Sequence, residues 1–522
     1  MATPSIAMIP SAYADSKVYS VLPNNGDGDF TFNRDSSATR VGQNGLIQTV
    51  GYFGSELVTN GDFATNSDWT LETGWTISGG TANFSGGTGN KAMYQAAGIT
   101  NGKTYKIQYE VSSISAGQVA VRFGGMSGVD EITATTIGTY TGYITATGSA
   151  NGNIHIEDND NNFVGSIDNV SVQEVLGDQP RLNYDISNGV VQSCPSLLLE
   201  PASTNLVLNS TTGAYGNAPI SELITTAPDG TNTAIIPIPD STADRYKHEI
   251  TGGTYATGTK LTYSWYSKQI SVPDVTYVGN LKMKNLINVT QVGSSIKVKD
   301  SINGWAKYSA TFDITDGSLQ SIIRLYFGEA VGIGNQSVAY WGHQLEPLTY
   351  CTSLIPTAGS SQTRAAESCF DAGNAATFNS TEGVLYAEIS ALANDQTNRR
   401  ITLSDGSNNN RIVTGYNTTS NQIFYFVVVG SSTVASGNYT SSDITQFSKI
   451  AIKFKVNDFA LWVDGIERQT DTSGAIFSAD TLSSLQFEQG SGGALFFYGN
   501  TKDIRVYNEA LTDAQLQTLT TL

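Results

Sequence analysis

The chain has 522 residues, of which only 14% are charged, and its formal net charge is −18. Its length allows three or four domains at about 150 residues each, and its carboxylate excess disfavours binding to nucleic-acid backbones. Aromatic residues form 10% of the chain and are spread along it, which excludes extended disorder.

The N-terminus has neither a basic region nor a long apolar run, so we expect no signal peptide and synthesis in a cytoplasm. No stretch approaches the ~18 apolar residues of a membrane span, so we expect no membrane insertion. The three cysteines, Cys194, Cys351 and Cys369, are too few and too odd in number for a disulfide framework. We expect isolated thiols in or near cores, and no structural zinc site.

Residues 1–53 are β-rich and punctuated, but too short to hold a core. Residues 54–176 predict a first antiparallel sandwich, because Tyr105, Ile107, Tyr109 and Val111 alternate with polar residues. Residues 177–200, here called the return segment, are again short and β-rich, like the opening segment 1–53. Residues 201–357 predict a second jelly-roll sandwich, and residues 358–379 a polar linker.

Residues 380–522 predict a third sandwich. Ile450, Ile452 and Phe454 alternate with less apolar residues, and Asp464-Gly465 predicts a hairpin turn. The sequence TDAQ at 512–515 has capping-box spacing and predicts one short helix. The fold class is therefore all-β and multidomain, with tandem antiparallel β-sandwiches (jelly rolls) and a short C-terminal helix.

Two segments read as one unit that has been divided. They are residues 30–40 (FTFNRDSSATR) with 45–50 (GLIQTV), and residues 180–184 (PRLNY) with 194–201 (CPSLLLEP). Both, like the stretch at 340–357, resemble structural proteins of tailed bacteriophages. In those proteins GLIxTV is often followed almost directly by PRLxY. The first sandwich therefore looks inserted, and residues 47–50 should lie close to residues 181–184.

Two of the sandwiches resemble sugar-binding folds. LVTNGDF at 57–63, GW at 74–75 and IDNVSV at 167–172 resemble jelly-roll carbohydrate-binding modules of families 4, 9 and 22. VDGIER at 463–468 and IRVYNEAL at 504–511 resemble the laminin-G or concanavalin A-like lectin and glucanase fold.

The resemblance implies a tail fibre, spike or decoration protein of the virion that adheres to host or environmental glycans. Its partners would be other virion proteins and glycans, with residues 1–53 as the docking or organising segment and a homotrimer as the common arrangement. One alternative is a purely architectural head or tail component that binds no glycan. A second is a glycan-depolymerising glycosidase.

Sugar-binding sandwiches stack an aromatic ring on a sugar and bond the hydroxyl groups with amides and carboxylates. The candidate stacking residues are Trp69, Trp75, Tyr416 and Tyr425. The alternative is that each is a core residue, which is the favoured interpretation for Trp265, Trp305 and Trp462, flanked by alternating apolar residues.

No cofactor is required by the sequence, but modules of this jelly-roll type often hold calcium through the aspartate equivalent to Asp168. Ala64 stands where a glutamate commonly follows the opening motif, so the ligand set is incomplete. Residues 158–162 (DNDNN) resemble the start of a calcium loop without its glycine, and a turn explains them better.

The sequence predicts a protein that is not an enzyme. Glycoside hydrolysis needs two carboxylates that face each other ~5–9 Å apart across a cleft. Glucanases of the third sandwich's fold carry theirs at close spacing on one strand, and residues 380–522 lack such a spacing. Glu388 and Asp405 stand alone, and there is no nucleophile elbow of a serine hydrolase.

Overall fold

The computed structural model describes residues 2–87, 89–126, 131–147, 149–158, 162–210, 221–238, 246–251, 255–269, 282–284, 290–292, 296–314, 322–327 and 338–522. The predicted all-β class is confirmed, since strands and turns dominate these ranges and one α-helix lies near the C-terminus. In these ranges no helix has the length and apolar character needed to cross a bilayer.

The strands up to the end of the first sandwich are β1 Ile6–Met8, β2 Tyr13–Ala14, β3 Lys17–Val18, β4 Phe30–Asn33, β5 Ala38–Val41, β6 Ile47–Val50, β7 Tyr52–Glu56, β8 Thr70–Leu71, β9 Trp75–Ser78, β10 Thr81–Phe84, β11 Ala92–Ala96, β12 Thr104–Ala116, β13 Val119–Phe123, β14 Ile132–Ala134, β15 Gly138–Thr145, β16 Asn153–Asp158 and β17 Val164–Gly177.

The strands of the middle part are β18 Arg181–Asn183, β19 Ile186–Ser187, β20 Val190–Val191, β21 Ser196–Leu199, β22 Ser203–Asn205, β23 Ser221–Thr225, β24 Ala234–Ile238, β25 Tyr246–Thr251, β26 Lys260–Gln269, β27 Lys282–Lys284, β28 Thr290–Val292, β29 Ile296–Asp300, β30 Ala306–Asp313, β31 Ile322–Phe327 and β32 Val338–Glu346, with a 3-10 turn at Ile302–Gly304.

The remaining elements are β33 Gln362–Arg364, β34 Ser368–Phe370, β35 Glu382–Ala391, β36 Arg399–Ser404, β37 Arg411–Tyr416, β38 Gln422–Val429, β39 Ser432–Thr440, β40 Ser448–Lys455, β41 Phe459–Val463, β42 Ile466–Asp471, β43 Ser484–Gln486, β44 Gly499–Tyr507 and α1 Asp513–Thr520.

The first sandwich consists of two antiparallel sheets. One has the order β15-β12-β17-β10-β9 with β7 also on β17, and the other has the order β14-β13-β16-β11-β8. Along β12, residues 105, 107, 109 and 111 are fully buried while the residues between them are half-buried. The predicted alternation is therefore confirmed, and it turns the polar side chains of β12 toward the outer face of the sheet.

The second sandwich has one sheet of order β23-β24-β32-β26-β30-β29 and one of order β25-β31-β27-β28. Both faces of the larger sheet are covered. Tyr263 and Trp265 lie in one apolar cluster, whereas Tyr266 and Trp341 lie in another, together with Ile47 of the opening segment. The opening segment therefore packs on the second sandwich as well as preceding the first.

The third sandwich is built from more than its own stretch of sequence. Its smaller sheet has the order β39-β38-β37-β36-β43, all from residues after 380. Its larger sheet has the order β18-β21-β44-β35-β40-β41-β42, and β1 also pairs with β44. Three strands from residues before 200 thus complete a sheet that the sequence places from 380 onward.

Local signals in the third sandwich are confirmed. Val463 pairs with Ile466 across a two-residue turn, in which Asp464 and Gly465 have φ of 51° and 79°, as a type I′ hairpin requires. The capping box of α1 is complete, with Thr512 as N-cap. The helix packs Leu516 into a cluster with Trp462, and Trp265, Trp305 and Trp462 are core residues as expected.

The geometry expected from an inserted first sandwich is observed. Its entering strand β7 and leaving strand β17 pair with each other, and Tyr52 lies opposite Gly177. Val41 pairs with Ile47, and its carbonyl accepts from the Tyr184 N–H at 3.1 Å. Residues 47–50 and 181–184 therefore lie on either side of one strand, β5.

The interpretation of residues 358–379 as a polar linker is wrong. Within this stretch, β33 pairs with β22 and β34 pairs with β4. Arg364, Glu367 and Cys369 are buried, because polar residues here find charged or backbone partners inside the molecule. The three thiols are free as expected, but Cys194 is exposed and not in a core.

Candidate functional site

The four predicted stacking residues are core residues, which corrects their assignment to a sugar-binding surface. Trp69, Trp75, Tyr416 and Tyr425 are only 8%, 4%, 0% and 1% exposed. The indole N–H groups of Trp69 and Trp75 donate to backbone carbonyls at 3.1 and 3.0 Å, and the Tyr416 hydroxyl donates to the Ile389 carbonyl at 3.2 Å. The polar neighbours of Trp69 and Tyr416 in sequence belong to turns or loops, which is why the local composition suggested exposure of these two residues.

Asp168 lies in an acidic environment. Partial burial raises its pKa; nearby Glu110 and Asp62 raise it further, and the Asn169 N–H opposes the rise. Among the residues that the structure describes, no three His, Cys, Asp or Glu side chains converge as metal ligands would. Calcium at Asp168 stays a prediction.

The acidic run 158–162 lies partly outside the described residues. Oδ1 of Asp158 accepts from the backbone N–H groups of Asn162 and Phe163, both at 3.0 Å. The turn interpretation of this run stays a prediction.

Five buried charged side chains from four distant segments form one network, here called the charged hub. Glu367 accepts from Arg34 at 3.0 Å and from Nε of Arg181 at 2.8 Å. Glu200 accepts from Arg181 at 2.7 Å and pairs with Arg364 at 2.9 Å. Their side chains are 0–4% exposed, so the ion pairs are unscreened by water.

The hub also holds the closing stretch of the second sandwich. The Ser353 hydroxyl donates to Glu200 at 2.6 Å, and its N–H donates to the same carboxylate at 2.8 Å. Nη1 of Arg181 donates to the Thr39 carbonyl at 3.1 Å. The opening segment, the return segment and the closing stretch of the second sandwich thus all contact the hub.

Charge pairing dominates the pKa of Glu200. Burial alone would raise it, but the guanidinium groups of Arg364 and Arg181, with the Ser353 hydroxyl, outweigh burial and hold the pKa well below its ordinary value. Burial likewise lowers the pKa of Arg181, yet Glu367 and Glu200 together raise it above its usual range. Glu200 and Arg181 are therefore both charged at neutral pH.

Beside the hub, a cleft of about 220 Å³ opens where the opening segment, the first sandwich and the 355–363 stretch meet. We call it the junction cleft. Its lining includes Ser37 and Thr49 of the β5–β6 hairpin, Phe53, Lys106, Thr141 and Tyr143 of the first sandwich, and Pro356, Gln362 and Thr363. None of the strands alone forms the cleft, so its shape depends on the hub that fixes the segments.

The junction cleft combines half-buried aromatic rings with hydrogen-bonding groups. Phe53 and Tyr143 have ring centroids 6.5 Å apart and nearly stacked planes. Nζ of Lys106 lies 5.0 Å from the Phe53 centroid, and the Tyr143 hydroxyl donates to Oγ of Ser37 at 2.7 Å. Aromatic faces beside hydroxyl, amide and ammonium groups are the set that recognises sugars in shallow sites.

Burial shifts the pKa of two of these groups, Lys106 and Tyr143. It lowers the pKa of Lys106, opposed by Glu56, and it raises the pKa of Tyr143, opposed by the Ser37 hydrogen bond. The tyrosine therefore stays a neutral hydrogen-bonding phenol at neutral pH.

Sequence reasoning missed this cleft although part of its signal was present. The alternation that turns Tyr105 inward turns Lys106 outward, and in β15 Tyr143 precedes the buried Ile144. The alternation of β12 and β15 could not predict the opposite wall of the cleft, because Gln362 and Thr49 come from segments remote in sequence.

One pair of carboxylates merits comparison with glycosidase chemistry. Glu388 and Asp503 are cross-strand neighbours in the larger sheet of the third sandwich. Arg505 donates to both oxygens of Asp503, at 3.0 and 2.6 Å. Burial still raises the pKa of Asp503 against that ion pair, but a carboxylate with both oxygens engaged is not free to act as acid or nucleophile.

The third sandwich matches a known family. Residues 372–517 match the family model Laminin_G_3, described as the concanavalin A-like lectin/glucanases superfamily. The C-terminal part of the chain is therefore a concanavalin A-like, laminin-G-like lectin domain. No curated protein sequence matches the chain.

Several solved structures share low similarity with parts of the chain. Carbohydrate-binding module 40 of the Ruminococcus gnavus IT-sialidase is 12% identical, with a TM-score of 0.24 over 27% of this chain and 84% of that one. Domain 4 of the Geobacillus stearothermophilus arabinanase AbnA is 12% identical, with a TM-score of 0.25 over 30% and 73%. The N-terminal CBM22 tandem of Paenibacillus barcinonensis Xyn10C is 10% identical, with a TM-score of 0.21 over 57% and 98%.

Proposed function

We propose that this chain is a structural protein of a tailed-phage virion that adheres to glycans on the host surface, and that the junction cleft receives the glycan. It acts without catalysis and is a component of a tail fibre, a spike or a decoration. The carrying observation is the cleft itself, in which Phe53 and Tyr143 lie beside Lys106 and a set of hydroxyl and amide groups.

The lectin-like third sandwich supports the glycan part of this proposal. A preformed cleft suits weak, reversible sugar binding, because little side-chain ordering is needed when the ligand enters. The hub fixes the opening segment and the 353–367 stretch, and bonds from Tyr143 to Ser37 and from Gln362 to the Thr141 carbonyl attach the first sandwich to them.

A glycan array with the purified chain tests the glycan part. We expect binding to at least one host polysaccharide, and at least about ten-fold weaker binding for Phe53→Ala and Tyr143→Ala, which is about 1.4 kcal/mol. Tyr94→Ala is the matched control, since Tyr94 is a half-buried aromatic stacked on His155 in the opposite sheet of the same sandwich.

The rival roles give different results. An array with no binding to any host polysaccharide favours a purely architectural block, a role to which a rigid hub is also suited. Release of reducing sugar from host capsule would favour a glycosidase.

The virion part draws its support from the residues at 30–50, 180–201 and 340–357. In this proposal the chain is made in the bacterial cytoplasm, joins other virion proteins and assembles as a homotrimer whose several clefts act together. Mass spectrometry of purified particles tests the location, and sedimentation equilibrium tests the trimer.

A further inference from the structure

A second cleft lies at the far end of the β5–β6 hairpin and shares no residue with the junction cleft. It has a volume of about 640 Å³ and is lined by Tyr13, Arg40, Gln43, Asn44, Gln48 and Tyr184, among others. We call it the Arg40 cleft. Its walls come from the opening segment and the return segment, whose strand β18 also belongs to the larger sheet of the third sandwich.

The guanidinium group of Arg40 has no acidic partner among the described residues. It lies 5.4 Å from the centroid of the Tyr13 ring, and its Nε is buried without a hydrogen-bond acceptor. The arginines of the charged hub, by contrast, all bond carboxylates. The chain has 46 Asp and Glu against 28 Lys and Arg, yet none of the described carboxylates pairs with Arg40. Arg40 can therefore pair with an anion from outside the chain.

The groups around Arg40 fit hydroxyl-rich ligands. Gln48 lies opposite Arg40 across the hairpin, and its Nε2 donates to Oδ1 of Asn44 at 3.3 Å. Together with Gln43 these amides offer both donors and acceptors at the cleft rim. Tyr13 and Tyr184 are half-buried and present phenol rings to the same space.

We propose that the Arg40 cleft binds the carboxylate of an acidic saccharide, with Arg40 as the carboxylate-binding residue. A guanidinium group offers two parallel N–H donors that match a carboxylate, while its ring-stacked plane stays fixed. The amides then bond the sugar hydroxyls. An acidic peptide offers the same charge but lacks the hydroxyl groups that the amides at the rim would bond.

Titration calorimetry of the full chain tests the proposal with three probes: an alginate hexasaccharide, neutral maltohexaose and a hexaglutamate peptide. We expect the alginate oligomer to bind, and Arg40→Gln to weaken that binding at least ten-fold. Arg40→Lys keeps the positive charge but loses the two parallel N–H donors, so its affinity for alginate should fall by an intermediate amount. Arg468→Gln is the matched control, because Arg468 also stacks on a tyrosine, at 4.0 Å from the Tyr439 centroid.

Several results would overturn the proposal. They are absence of alginate binding, an equal effect of Arg40→Gln and Arg468→Gln, or hexaglutamate binding as tight as alginate binding, which would make the cleft a peptide site. Loss of alginate binding in Phe53→Ala but not in Arg40→Gln would also overturn it, because the uronate would then belong to the junction cleft. The two clefts can thus fail or succeed separately.

Discussion

Individual side chains in this molecule are placed by burial more than by local composition. Trp69 and Tyr416 sit among turn-forming residues, yet their rings close cores and their polar atoms bond backbone carbonyls. Phe53 and Tyr143, which no motif marks, are the half-buried pair at a cleft. An aromatic residue near turns therefore predicts a strand end as readily as a binding surface.

Glu367→Gln should destabilise the protein strongly. The carboxylate accepts from Arg34 and Arg181 in a site without water, and removal of one partner of a buried ion pair costs about 3–5 kcal/mol because it leaves buried charge unpaired. Thermal unfolding followed by calorimetry measures the loss. Glu382→Gln, which breaks the solvent-exposed pair with Lys455, should change stability far less; equal shifts for the two variants would contradict a stabilising role for the buried ion pairs of Glu367.

The charged hub should stay intact at a lower pH than it would if Glu200 had the pKa of an ordinary carboxyl group. The pKa of Glu200 is lower in the folded chain than in the unfolded chain, so this group stabilises the fold above the unfolded value of about 4.3 and loses that effect only as the pH falls toward its native pKa. Near-UV circular dichroism from pH 7 to pH 2 should show the loss of tertiary structure around the hub well below pH 4. A transition centred between pH 4 and 5 would argue against this pairing.

At the level of elements, the β5–β6 hairpin connects more parts of the molecule than any motif in it suggests. The Ile47 N–H donates to the Pro228 carbonyl at 3.0 Å, and the Thr39 hydroxyl donates to the Leu354 carbonyl at 2.5 Å. Tyr143 of the first sandwich bonds Ser37 at the entrance of the same hairpin. The hairpin is thus a wedge between the first two sandwiches and a wall of both clefts.

Gly45→Ala should loosen that wedge. Gly45 has φ of +77°, and a Cβ there would lie 2.2 Å from Cγ2 of Ile302 and 2.7 Å from Cγ2 of Val191. We expect a loss of about 2–4 kcal/mol, from backbone strain and overpacking combined. Chemical denaturation measures it, with Gly406→Ala as control, since Gly406 has φ of +82° and open space around it. If both variants lose the same amount, close packing at the hairpin is not what requires glycine.

The elements themselves were largely predictable from sequence. The period-two pattern of β12, the Asp464-Gly465 turn and the Thr512 capping box are local signals, and each is observed. The pairing of β1, β18 and β21 into the third sandwich was not predictable, because strand partners hundreds of residues apart leave no mark in a single sequence. The same limit hid the junction cleft and the burial of Arg364 and Glu367 in a stretch that reads as a linker.

On the scale of the whole molecule, the chain is a set of sandwiches organised around one ionic junction. Residues 1–53 and 177–200 have no core of their own, yet they share a core with the lectin-like sandwich through residues such as Ile6, Phe30 and Leu197. They also join the closing stretch of the second sandwich to the hub. An organising role for these segments, and their docking to other virion proteins, are part of the proposal.

The most direct test of the proposed function is a cryo-electron microscopy reconstruction of purified particles in which mass spectrometry finds this chain, imaged with a polysaccharide that the array identifies. We expect the junction cleft to open toward the outside of the particle and to hold sugar density between Phe53, Tyr143 and Lys106. A cleft sealed by neighbouring virion proteins, or an empty open cleft with sugar bound elsewhere, would contradict it.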